Sequence, residues 1–108
     1  MADCQMGLSI GLAMNNYLPI SCFPRFDFIL LALNQLVNHL DKMQTMSNDQ
    51  FKPRVFIRTA VGSKKPLNGG PQHTQNYSKV LKMMCKEIEI IELKNKTKIF
   101  NEFRKAYI

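Results

Sequence analysis

Four stretches of the chain carry apolar residues at the spacing of an α-helix. The first is 4–14, where small and apolar residues recur every three or four positions before Asn15 and Asn16 offer a C-terminal stop. Gly7 and Gly11 lie four residues apart on one face. Because glycine weakens a helix by about 1 kcal/mol relative to alanine, the pair predicts close packing of this face against a neighbouring element.

The longest helical pattern is 27–43. Its first half, F-I-L-L-A-L, is apolar on every side and is predicted to be fully buried. Its second half is amphipathic, and Leu36, Leu40 and Met43 are predicted to face inward. The polar side chains of this half are predicted to face solvent: Asn38, Asp41 and Lys42.

Two further helices are predicted in the second half of the chain. Thr74 is a suitable N-cap for the first, and Asn95 or Thr97 for the second. The first helix is predicted to bury Tyr77, Val80, Leu81 and Met84. The second is predicted to bury Ile99, Phe100, Phe103 and Tyr107.

Three short apolar runs alternate with these helices and predict β-strands at 18–23, 55–59 and 88–93. The run 55–59 is nearly continuous, as in a central parallel strand covered on both faces. The order α-β-α-β-α-β-α predicts an α/β fold with three α/β/α layers and a mostly parallel sheet. A chain of 108 residues makes a single domain, 1–108, and three strands are few for a parallel sheet. We therefore expect part of a larger domain, with an exposed apolar surface that drives homo- or hetero-oligomerisation.

Charge and cysteine content narrow the possible functions. The net charge of +7 would suit a polyanion, but no aromatic residue interleaves Lys64 and Lys65, so a nucleic-acid-binding module is a disfavoured alternative. Three cysteines without C-x-x-C spacing argue against disulfides and a metal site, and they are predicted to be small buried residues. No segment predicts a membrane span or a signal peptide, so we expect a cytoplasmic protein or one of an organellar matrix.

The candidate chemistry lies in 55–75. A predicted strand ends there and leads into a Gly- and Pro-rich loop with a single histidine, His73, before the predicted helix start. Ligands of α/β proteins bind where parallel strands end. A helix N-terminus beside His73 would disfavour the imidazolium, and a neutral imidazole could bind a carbonyl oxygen or shuttle a proton. The alternative is a histidine that merely lines the loop. His39 is predicted to be solvated.

Four sequence pieces, taken in order, resemble one family: M-G-L-S-I-G-L-A-M at 6–14, F-P-R-F-D-F at 23–28 leading into L-N-Q-L-V-N, V-F-I-R-T at 55–59, and G-P-Q-H-T-Q at 70–75. With them the chain resembles the pyrimidine-binding domain of transketolase-type thiamine diphosphate enzymes. The greatest resemblance is to the beta subunits of 2-oxo acid dehydrogenases. It covers nearly the whole chain.

The resemblance implies thiamine diphosphate as cofactor. This domain would bind the aminopyrimidine, and a diphosphate-binding domain or alpha-type subunit would hold the diphosphate and Mg²⁺. The family's aromatic cofactor contact corresponds to Phe26 or Phe28, for which ordinary core packing is the alternative, and its active-site histidine corresponds to His73. The isolated chain is expected to be inactive.

The chain departs from the family's pattern at its start. The family glutamate that binds the pyrimidine ring precedes the M-G-x-x-x-G helix. One register places Asp3 there, and another places Ala2. Asp3 is alternatively a helix N-cap. The strand and helix that come before this point in the family, and a G-D-G…N segment for Mg-diphosphate, have no counterpart in the sequence. A non-catalytic structural or interaction remnant of the domain therefore stays open as an alternative.

Overall fold

The computed structural model describes residues 1–108 and contains both helices and a parallel strand pair. The α-helices are α1 (Ala2–Met14), α2 (Met43–Met46), α3 (Ser78–Met84) and α4 (Lys96–Tyr107). The strands are β1 (Ile20–Phe23) and β2 (Phe56–Thr59), which pair in parallel with Ile20 opposite Phe56 and Phe23 opposite Thr59. The α/β prediction is confirmed at this level.

The predicted third strand and the three layers are not found. Segment 88–93 has no regular structure, and the sheet has two strands. The backbone N–H groups of Lys86, Glu87 and Ile88 donate to the Asp41 carboxylate at 2.8–3.1 Å. The Asp41 side chain therefore anchors the start of this segment, and the segment pairs with neither strand.

The segment 27–43 is predicted as one α-helix, but the structure has two helices of other types there, one wound more tightly and one more loosely than an α-helix. Phe26–Ala32 is a 3-10 helix and Asn34–Leu40 is a π-helix. With three residues per turn, every third side chain of a 3-10 helix shares a face. Phe26, Ile29 and Ala32 are accordingly buried. The prediction that this half is buried all round is wrong, because Phe28, Leu30 and Leu31 are 43–65% exposed.

The π-helix changes which residues face inward after it. Each of its turns holds more residues than an α-helical turn, so the following positions are rotated relative to the α-helical expectation. Leu36 and Leu40 are buried as predicted, and Met43 is half-buried. Asp41, predicted to face solvent, is 1% exposed. That prediction is wrong, and the buried carboxylate holds segment 86–88 in place.

Helix α1 covers the 3-10 helix with Met6, Ser9 and Ile10. Gly7 lies in ordinary contact with the Gln35 side chain, 3.5 Å from where a Cβ would be. A Cβ at Gly11 would meet nothing within 4 Å, so the predicted need for glycine at this position is wrong.

The two C-terminal helices pack less deeply than predicted. Asn95 caps α4, its side chain accepting from Lys98 N at 2.8 Å, as predicted. Phe103 stacks on Phe56 with ring centroids 6.0 Å apart, yet the four predicted inward residues of α4 are 37–71% exposed. In α3, Leu81 is buried, whereas Val80 and Met84 are exposed.

Of the cysteines, only Cys85 is buried, so the prediction is wrong for Cys4 and Cys22. None of the helices is both long enough and apolar enough to cross a bilayer.

Candidate functional site

The candidate site lies at the C-terminal edge of the strand pair. Because the strands are parallel and Phe23 is opposite Thr59, the chain leaves both at the same edge. The two exits are joined by a hydrogen bond of 3.0 Å from Phe26 N to Ala60 O. The loop 60–77 then returns to this edge, which brings residues distant in sequence together.

Two aromatic residues of the 3-10 helix take different positions at this edge. Phe26 is buried and meets Tyr77 edge-on, with centroids 5.9 Å apart and rings at 73°. Phe28 is 43% exposed and meets the imidazole of His73 edge-on at 5.6 Å and 69°. The structure therefore places Phe28 and His73, two predicted site residues, in contact. Phe26 packs in the core, and Phe28 leaves part of its ring exposed, where a flat ligand could stack.

The loop around His73 depends on glycine. His73 N and Thr74 Oγ1 both donate to Gly70 O at 3.1 Å, and Gly70 has φ +96°. A Cβ at Gly62 would overlap the carbonyl oxygen of His73. The close approach of these two backbone segments fixes His73 at the strand edge.

Thr74 is not a helix cap. Helix α3 begins only at Ser78, with Tyr77 at its N-cap position, because the segment 71–74 forms turns instead. The predicted helix N-terminus beside His73 is therefore wrong. The dipole argument for a neutral imidazole has no basis in the structure.

Asp27 is a member of this site that the sequence analysis missed. Its Oδ1 accepts from Gln75 N at 3.1 Å and from Gln75 Nε2 at 3.0 Å. Burial raises the pKa of Asp27, but the Gln75 hydrogen bonds outweigh burial and hold the pKa below its usual range, with a smaller contribution from the charge of His73. The available signal was a charged residue inside the same F-D-F triplet that supplies both aromatic rings.

Asp3 is exposed in the first turn of α1 and makes no hydrogen bond or ion pair. The N-cap position is Met1, so the reading of Asp3 as N-cap is wrong. Two residues further on, Gln5 Nε2 donates to Ser21 Oγ at 2.8 Å and to Cys22 O at 3.0 Å. The start of α1 is therefore tied to β1, while the structure brings no contact between Asp3 and His73.

Other features of the surface do not coincide with this site. No group of three or more His, Cys, Asp or Glu residues is arranged to hold a metal ion. A cleft of about 530 Å³ lies between β2, segment 87–93 and α4. It contains none of the residues predicted for the site.

The structure is an α/β arrangement whose aromatic and imidazole side chains meet where parallel strands end, the position at which α/β proteins bind ligands. Its relatives are beta subunits of the pyruvate dehydrogenase E1 component. The chain is 28% identical over 85 residues to the mitochondrial subunit of Ascaris suum, which is 79% of this chain and 23% of the relative. It is 33% identical over 72 residues to the Rickettsia conorii subunit, and 38% identical over 69 residues to that of Cyanidium caldarium.

These similarities confirm the resemblance to 2-oxo acid dehydrogenase beta subunits. They cover 67% of this chain for Rickettsia conorii and 64% for Cyanidium caldarium, and 22% and 20% of those relatives. The chain thus spans about a fifth of the length of the curated relatives it matches. No family model matches the sequence.

Proposed function

We propose that this chain is the pyrimidine-binding portion of a thiamine diphosphate-dependent enzyme of the 2-oxo acid dehydrogenase type. The observation that carries the proposal is the contact of Phe28 with His73 at the C-terminal edge of β1 and β2. These residues come from the F-x-D-F and Q-H-T-Q pieces of the resemblance. The similarity to E1 beta subunits supports the same assignment.

The residues present fit one end of the cofactor. Phe28 offers a partly exposed ring for a flat heterocycle, and His73 supplies an imidazole beside it. Phe26 is buried at the same edge, against Tyr77. Two buried polar atoms at this edge, Asp27 Oδ2 and Thr59 Oγ1, have no hydrogen-bond partner within the chain. When bound, thiamine diphosphate supplies carbanion-stabilising chemistry. The chain's own part is to hold the pyrimidine ring and place His73 near the reacting carbonyl.

A partner is part of the proposal, because the resemblance implies a cofactor site divided between two domains. We propose a diphosphate-binding domain or alpha-type subunit as this partner. Asp3 is proposed as the residue at the family glutamate's position, in the register that places it there, although it is exposed. One relative is described as mitochondrial, and we propose the cytoplasm or an organellar matrix as the compartment.

Cofactor titration tests this function. Alone, the chain is expected to bind thiamine diphosphate and Mg²⁺ weakly or not at all by calorimetry, and an alpha-type subunit is expected to restore binding. In that complex, Phe28→Ala should weaken binding about fivefold, since an aromatic contact contributes about 1 kcal/mol beyond burial. Leu31→Ala is the matched control, because Leu31 is an exposed apolar residue of the same helix.

Micromolar binding by the chain alone would show that the partner requirement is wrong. Equal weakening by Phe28→Ala and Leu31→Ala would remove Phe28 from the site. If neither the chain nor the complex binds the cofactor, the enzymatic function is refuted in favour of the second candidate.

The second candidate is a non-catalytic interaction module, which the large exposed surface favours. A folded monomer of this mass exposes about 6,200 Å². This chain exposes 7952 Å², and its radius of gyration is 14.4 Å. Exposed apolar residues occur on α1, on the 3-10 helix and on α4.

Both candidates predict association, which light scattering measures directly. At tens of micromolar the chain is expected to form a dimer or to bind a partner, because the exposed apolar side chains are unfavourable in water. A monodisperse monomer that binds no apolar dye would contradict this expectation. Association without any cofactor binding would favour the interaction module.

A further inference from the structure

Only one of the two oxygens of the buried Asp27 carboxylate is hydrogen-bonded. Oδ1 accepts two hydrogen bonds from Gln75, but Oδ2 is shielded from solvent and has no donor. Because the pKa of Asp27 is held low by Gln75 despite burial, this oxygen belongs to an ionised group at neutral pH. A buried charged acceptor without a donor is unfavourable, so the site is built to receive one.

His73 is the complementary group at this edge. The other histidine, His39, places Nδ1 2.7 Å from Gln35 Oε1, whereas the ring of His73 makes no hydrogen bond. Two neighbouring residues link the His73 ring to the region of Asp27. Gln75, two residues later, is bonded to Asp27, and Phe28, the residue after Asp27, contacts the ring.

We infer that Asp27 positions His73: when the imidazole is protonated on both nitrogens, one ring N–H donates to Asp27 Oδ2. An imidazolium has two donors and a carboxylate only acceptors, so one bond satisfies Asp27 and leaves the second N–H for a ligand. In this structure Asp27 Oδ2 and the His73 ring are both unpaired, so the pairing requires the imidazole to turn towards Oδ2.

Two other groups at this edge carry hydrogen-bond donors. The Thr59 hydroxyl is buried, has no partner and can donate one hydrogen bond. Arg25 is a charged side chain beside the loop, with Nη1 3.5 Å from where a Cβ of Gly62 would lie. An imidazolium provides a charge-assisted hydrogen bond to a carboxylate, which the neutral hydroxyl does not.

The consequence for catalysis rests on the proposed function. A proton taken up by His73 would be stabilised by Asp27, and the ring would be held in one orientation towards the bound ligand. Asp27 is thus a positioning residue, acting through His73. The pairing itself involves only residues of this chain and needs no cofactor.

Ring N–H signals in NMR spectra of the ¹⁵N-labelled 108-residue chain test the pairing. At about pH 5, where an ordinary imidazole is charged, wild type should show a low-field His73 ring N–H protected from solvent exchange. Asp27→Asn should make that proton exchange at least tenfold faster. Asp49→Asn, at an exposed carboxylate outside the site, should leave it unchanged, and the His39 ring serves as the internal control.

Absence of a protected His73 N–H in wild type, or its persistence in folded Asp27→Asn, would overturn the inference. If Asp27→Asn does not fold, the pairing is tested by the pKa of Asp27, measured from its carboxyl ¹³C signal in wild type and in two histidine variants. His73→Gln should raise the pKa of Asp27, and His39→Gln should not; an unchanged Asp27 in His73→Gln overturns the inference too. Because no cofactor is present, these results are independent of the cofactor titration that tests the proposed function.

Discussion

Asp41→Ala is expected to lower the free energy of unfolding by about 3 kcal/mol. The carboxylate is 1% exposed and accepts the backbone N–H groups of Lys86, Glu87 and Ile88 as well as the Lys42 ammonium. Alanine would leave three backbone donors without their acceptor and release the only side-chain anchor at the start of segment 86–93. Urea denaturation followed by circular dichroism measures the change.

Asp3→Ala is the matched control. Asp3 is exposed in the first turn of α1, and its carboxylate accepts no hydrogen bond. Its removal should change stability by less than about 0.5 kcal/mol, as for most surface substitutions. Equal effects of the two substitutions would show that the buried carboxylate does not anchor the 86–88 segment.

The same carboxylate makes stability depend on pH in the acid range. Burial raises the pKa of Asp41, but Lys42 and the three N–H groups outweigh it and lower the pKa to about 2. The folded-state pKa lies below the unfolded value of about 3.9. The contribution is therefore complete above pH about 4 and is lost as pH falls towards 2. Asp41→Asn should flatten the stability profile over this window, and an unchanged profile would contradict the assignment.

Gly62→Ala is expected to displace His73 and to destabilise the chain by about 2 kcal/mol or more, as other overlaps with rigid surroundings do. The new Cβ would overlap the His73 carbonyl oxygen, which belongs to the backbone and cannot rotate away as a side-chain end can. The measurable signs are a lower thermal midpoint and loss of NMR contacts between the rings of Phe28 and His73.

Gly11→Ala provides the opposite control. It lies in α1, and its Cβ would meet nothing within 4 Å, so it should stabilise the chain by about 0.5–1 kcal/mol. If Gly62→Ala instead behaves like Gly11→Ala, the loop containing His73 must be free to move away from β2. The structural basis for the site would then be lost.

Several elements could be predicted because their signals are local. The spacing in 4–14, the apolar runs before Pro24 and in 55–59, and the cap Asn95 specify α1, the two strands and the start of α4. The four quoted pieces also indicated His73 and Phe26 or Phe28 as candidate site residues, and the rings of Phe28 and His73 are in contact. Their contact is a fact of the structure, while their roles stay predictions.

The burial of two aspartates could not be read from their neighbours in sequence. Asp41 faces inward because a π-helix precedes it, and it is held by residues 45–47 positions later. Asp27 is held by Gln75, 48 positions away. A carboxylate is buried only where donors converge on it, and that convergence depends on how distant segments meet.

The sequence by itself determined α1, the two paired strands, the cap of α4, the α/β class and the resemblance to E1 beta subunits. Periodicity and short motifs are properties of neighbouring residues, so they can be recognised without knowledge of the fold. Only the tertiary structure decided that 27–43 divides into 3-10 and π forms, that 88–93 is not a strand, and that Gln75 binds Asp27. Each of these outcomes depends on packing and hydrogen bonds between segments far apart in the chain, and such interactions override local preference.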